Sequence, residues 1–159
     1  MTPPGSIAQL AAALSRGPVV ATGATDAWIA LAAGRLRATG PVIVVVPDDE
    51  RAQAMAEDLA AFGVAERDVA MLPAVDVAPY AEVSPDAATL RQRLTTLAML
   101  AAGQVPAVIV TSAVGLQRRT VARRELAART TRLTVGAEVQ RDATVAALIA
   151  AGWTRVPIV

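Results

Sequence analysis

The chain has 159 residues, 54% of them apolar, and a formal net charge of +1. That suits one domain, or one domain plus part of a second, and supplies no global field toward DNA or membrane. It holds no Cys and no His, and all fifteen basic residues are Arg. Disulfides, thiolate or zinc chemistry, a Ser-His-Asp triad and Schiff-base catalysis are therefore excluded within it.

In chain order, residues 1–18 lack a basic start and do not read as a secretory signal; the expectation is a cytoplasmic protein. Ile7, Leu10 and Leu14 have helical spacing behind Ser6 as N-cap. "GPVVATG" (17–23) reads as a short buried strand closed by Gly23. Residues 24–40 follow as a helix with Trp28, Leu31 and Leu36 toward the core. "PVIVVVP" (41–47) is continuous and β-branched, as a strand covered on both faces would be. Asp48 or Asp49 caps a helix with Ala52, Met55, Leu59 and Phe62 on one stripe, ended by Gly63.

"DVAMLP" (68–73) is a third strand. A proline-punctuated loop leads to a helix over 87–103 with Leu90, Leu94, Leu97 and Leu100 as its apolar stripe. "PAVIVTS" (106–112) is a fourth strand. Strand and helix alternate, so the expected fold class is α/β: a parallel sheet with helices on both faces. Beyond Ser112 the character changes. Arg118, Arg119, Arg123, Arg124, Arg129 and Arg132 stand against the single acid Glu125. A short strand "RLTVG" (132–136), a helix capped by Asp142 and a strand "WTRVPIV" (153–159) are expected after it. The boundary falls near 118–130, dividing 1–120 from 121–159 as linker and the start of a second, α+β domain. The last thirty residues are too few to bury a core of their own.

The stretch "VVATGATDAWIALAAG" (19–34) has the strand–turn–helix layout of a phosphate-binding loop. A working loop needs a second Gly, a Lys and a Ser or Thr for magnesium. Here Gly23 is followed by Ala24, Thr25 and Asp26, and the chain has no Lys. Asp26 puts negative charge where phosphate would sit. The simpler reading makes Thr25 or Asp26 a helix N-cap.

Residues 71–119 carry the most specific pattern. Leu72–Pro73, Asp76, Pro79–Tyr80, Ser84–Pro85, Arg93–Leu94, Leu97 and Leu116–Gln117–Arg118 occur in order. In this the chain resembles the N-terminal, UvrB-like module of the bacterial transcription-repair coupling factor (Mfd) family, with Val75 where the family usually has an aromatic. Residues 17–36 resemble that family's degenerate nucleotide loop, and 132–159 resemble the opening of its second UvrB-like domain. The resemblance implies a P-loop-NTPase-like fold that has lost its nucleotide site. It also implies no cofactor and no catalysis in this chain, with ATP, magnesium and duplex-DNA translocation belonging to distant motor domains. The implied partners, through the intact protein, are UvrA and RNA polymerase, in transcription-coupled nucleotide excision repair. The chain is then expected to stop inside its second domain.

Three other candidates remain. Arg118, Arg119, Arg123 and Arg124 are placed to contact phosphates or a partner, or else form a solvated connector whose stems cover apolar surface. Asp48, Asp49 and Glu50 suit magnesium or, more simply, a helix start. Asp76, Tyr80 and Glu82 lie on a loop that either serves a partner or is fixed by Pro79 and Pro85. The alternative functions are the first domain of a UvrB-like or helicase-type ATPase with an unusual loop, and a free-standing nucleic-acid binder.

Overall fold

A computed structural model describes residues 6–75, 86–151 and 153–156. The described residues fall into two compact units, Met1–Thr120 and Val121–Val159.

In the first unit the chain runs α1 (Ile7–Leu14), α2 (Asp26–Leu36), β1 (Val42–Val46), α3 (Asp49–Ala61), β2 (Val69–Leu72), α4 (Ala87–Ala101), β3 (Val108–Ser112) and α5 (Ala113–Gln117). Among the described residues the strands make one parallel sheet of order β1-β3-β2. Val42 and Val69 both stand opposite Val108, so β3 is paired on both edges. It is buried along its whole length.

The sheet alternates, as a pleated strand must. Val44, Val46, Val108 and Val110 point to one face, where Ala30 and Ala33 of α2 and Ala52, Met55 and Leu59 of α3 cover them. A Cβ on Gly34 would lie 3.1 Å from the Val64 side chain, so α2 approaches on its small residues. Trp28, Leu31 and Leu36, expected in the core, are half-buried instead. Phe62 is exposed, beyond the stripe that Ala52, Met55 and Leu59 complete.

Helix α4 departs furthest from its pattern. Its buried residues are Arg93 and Thr96, while Leu90 and Leu94 are exposed. The cause lies on β2. Thr96 Oγ1 donates to the Met71 carbonyl, and Arg93 Nη1 donates to the Pro73 carbonyl at 2.7 Å. The helix packs against β2: Thr96 satisfies a carbonyl of the strand and Arg93 the Pro73 carbonyl just beyond it.

Residues 17–25 form no strand, and Val20 is 71% exposed. The continuous apolar character of 18–21 has no neighbour to pair with in the sheet described.

The second unit contains α6 (Arg123–Ala128) and α7 (Arg141–Ala150). Neither buries a residue. No strand forms over 132–136 or 153–156, and Val135 and Trp153 are exposed. Residues 157–159 of the expected last strand lie outside the described residues. Asp142 sits inside the first turn of α7 and does not cap it; Gln140 holds the cap position without a side-chain bond.

Candidate functional site

The carboxyl end of a parallel sheet is where α/β proteins assemble sites, because loops and helix N-termini converge there. Here α2, α3 and α5 all begin at that end, and each start is closed by its own side chain. Thr25 Oγ1 accepts from the Trp28 N–H at 3.2 Å. Asp48 Oδ1 accepts from the Arg51 N–H at 2.8 Å, and Ser112 Oγ from the Gly115 N–H at 3.0 Å. Of the two acids offered as caps for α3, Asp48 is the cap.

Residues Gly23, Ala24, Thr25 and Asp26 therefore form an open turn followed by a side-chain-capped helix. Gly23 has φ +76°, the left-handed conformation that glycine adopts without strain. The Asp26 carboxylate meets the Arg51 guanidinium at 3.3 Å. Both groups are about half exposed, so this pair orients more than it stabilises.

Asp49 crosses to the neighbouring strand end: its Oδ2 accepts from the Ala74 N–H at 2.8 Å. Its Oδ1 is buried without a hydrogen-bond partner. Glu50 is exposed. Among the described residues no group of three acids is arranged to hold a metal ion.

Arg93 is the centre of the arrangement. It is 4% exposed. Its Nη1 reaches the Pro73 carbonyl and its Nη2 the Arg118 carbonyl at 3.4 Å. Burial lowers its pKa from the ordinary arginine value; the Asp49 carboxylate opposes that shift and the Arg118 charge adds to it. Three separated pieces of sequence pattern, Leu72–Pro73, Arg93 and Leu116–Gln117–Arg118, thus meet around one guanidinium. Asp76, Pro79, Tyr80, Ser84 and Pro85 lie outside the described residues.

The turn that carries Arg118 is tightly built. A Cβ on Gly115 would lie 2.7 Å from Thr111 Oγ1 and 2.8 Å from the Leu72 carbonyl oxygen. Thr111 Oγ1 itself donates to that carbonyl at 2.7 Å. The remaining cationic candidates divide. Arg119 is exposed in the first unit, and Arg123 and Arg124 are exposed on α6 in the second.

Sequence reasoning missed the crossing bond of Asp49 and the structural parts of Thr96, Ser112 and Gly115. A Ser followed three residues later by Gly, at the end of an aliphatic strand, was the available signal for the α5 cap. A cleft of about 780 Å³ separates α3 from α4 above β2, lined by Gln53, Ala56, Gln92, Thr95 and Met99 among others. None of the residues singled out from the sequence lines it.

Among curated proteins the chain is similar to the transcription-repair-coupling factor of Myxococcus xanthus, at 36% identity over 131 residues. The match covers 79% of this chain and 11% of that protein. No protein-family model matches, and no solved structure does. Among the described residues no helix is long and apolar enough to cross a membrane.

Proposed function

The chain is an Mfd-like segment, similar to part of a transcription-repair-coupling factor, and from that premise we propose that it is a non-catalytic interaction and regulatory module of transcription-coupled DNA repair. In the intact protein it helps recruit UvrA and restrains an ATP-dependent DNA translocase that displaces stalled RNA polymerase. ATP and magnesium serve that motor and not this chain.

One observation carries the reading. The nucleotide-loop position is filled by the protein's own groups. The Trp28 N–H at the start of α2 is taken by Thr25, and the Asp26 carboxylate stands at the helix N-terminus, paired with Arg51. A phosphate there would meet like charge and lack the lysine that such loops use, since the sequence has none. What persists is the turn and the capped start of α2, serving as scaffold; among the described residues no strand precedes them.

The test is calorimetric titration of the chain with magnesium ATP, alongside measured binding to purified UvrA and RNA polymerase. We expect no saturable nucleotide binding, no gain in Asp26→Ala, and binding to at least one protein. Saturable ATP binding would return the chain to the helicase-type ATPase alternative.

A further inference from the structure

We infer that Asp49 and Arg93 form one positioning unit, joined through the Pro73–Ala74 peptide, by which the start of α3 fixes the turn that ends at Arg118.

The parts stand in line. Arg93 Nη1 donates to the Pro73 carbonyl at 2.7 Å, and the Ala74 N–H donates to Asp49 Oδ2 at 2.8 Å. That carbonyl and that N–H belong to a single peptide unit. No peptide among the described residues is cis, so the two groups point opposite ways. The guanidinium holds one side of the peptide and the carboxylate the other. The peptide dipole thus has its oxygen toward the cation and its N–H toward the anion, and each bond polarises the other. Arg93 Nη2 carries the line on to the Arg118 carbonyl at 3.4 Å.

The fold needs such a unit at this point. The pairing of β2 with β3 ends at Leu72 and Thr111. Pro73 and Ala74 are nevertheless buried, so the peptide between them needs partners that the sheet no longer supplies. A hydrogen bond alone does not call for a charged acceptor. Asp49 Oδ1 is buried without a hydrogen-bond partner, so hydrogen bonding does not offset the charge there. The N-terminus of α3 favours an acid, and so does Arg93 across the peptide. In return the Asp49 carboxylate favours the charged form of Arg93 against the burial that lowers its pKa. A buried charge left single is costly, so each residue depends on the other. Asp48 is the contrast: one position earlier, its carboxylate closes its own turn on the Arg51 N–H.

The experiment follows amide exchange and the Arg93 Nε–H resonance by NMR in the whole 159-residue chain, with melting temperatures alongside. The variants are Asp49→Ala, Asp49→Asn, Arg93→Met, Asp49→Ala combined with Arg93→Met, and Asp48→Ala as the local control. Asp49→Ala is expected to speed exchange of the Ala74 N–H by about tenfold or more relative to Val110. It is also expected to shift the Arg93 Nε–H and the Arg119 N–H, which shares its peptide with the Arg118 carbonyl. Asp49→Asn keeps an acceptor for Ala74 and removes the charge; it should shift the same two resonances with a smaller change in exchange. That variant decides the question if another fails to fold. The combined variant should melt no lower than Arg93→Met, which leaves the Asp49 charge unanswered. Asp48→Ala should lower the melting temperature and leave both resonances in place. Additive melting losses, or resonances that stay put in both Asp49 variants, overturn the unit and leave two separate bonds. Equal shifts in Asp48→Ala overturn it in favour of a general loosening of α3.

Discussion

At the scale of single residues, Arg93 and Gly115 bear the greatest strain of substitution. Arg93→Met keeps the length of the side chain but strands the Pro73 and Arg118 carbonyls. Urea denaturation should show a loss of about 2–4 kcal/mol, against no more than about 0.5 kcal/mol for Arg119→Ala on the surface. Gly115→Ala forces a methyl into two oxygens closer than 3 Å and should cost about 1–3 kcal/mol. Neither effect is legible from the sequence. An Arg inside a Leu-rich helix reads as its solvent side, and a Gly in a helical run reads as a weak position. Arg93 owes its role to carbonyls twenty or more residues away, and Gly115 in part to the distant Leu72 carbonyl. Asp48 was legible because a cap acts within its own turn; Asp49, its neighbour, was not, because it acts across to Ala74.

At the scale of elements, α4 shows how a clean periodicity misleads. The spacing of Leu90, Leu94 and Leu97 marks a helix correctly, yet the docking side carries Thr96 and Arg93, bonded to the Met71 carbonyl of β2 and the Pro73 carbonyl just after it. Leu94→Glu should therefore change stability by less than about 0.5 kcal/mol, while Thr96→Val, losing its bond to Met71, should cost about 1–2 kcal/mol. The reverse order in a urea series would restore the leucine side as the packed one. The same helix has a pH-sensitive start. Asp86 accepts from the Thr89 N–H at 2.8 Å and the Thr89 hydroxyl at 2.9 Å, which hold its carboxyl below the ordinary value of 3.8. A depressed carboxyl adds stability that is present above its unfolded pKa and lost as pH falls through the folded one. Melting curves of the wild type and Asp86→Ala should differ near neutral pH and converge in acid below that value. The short strand expected at 17–23 failed for the opposite reason: apolar, β-branched character gives a strand only where a partner edge accepts it, and among the described residues of the first unit only β1, β2 and β3 pair.

At the scale of the whole molecule, the α/β class was legible because long alternating segments outvote local errors, and the family resemblance stands on the 36% identity to a transcription-repair-coupling factor. The two units differ in how they are held. The first has an aliphatic core against one sheet face, while α6 and α7 bury nothing. Amide exchange should be slowest in β3 and faster by orders of magnitude in α6 and α7; equal protection would mean a core not evident in the second unit. One feature of the sheet reaches beyond the finished fold. β1 and β2 do not pair with each other; each pairs with β3, the last of the three in the sequence and the middle one in space. During synthesis, then, two aliphatic ribbons emerge first with nothing to join. A nascent chain arrested before Val108 would hold helices and no sheet, and the release of five residues from the ribosome would let both pairings close.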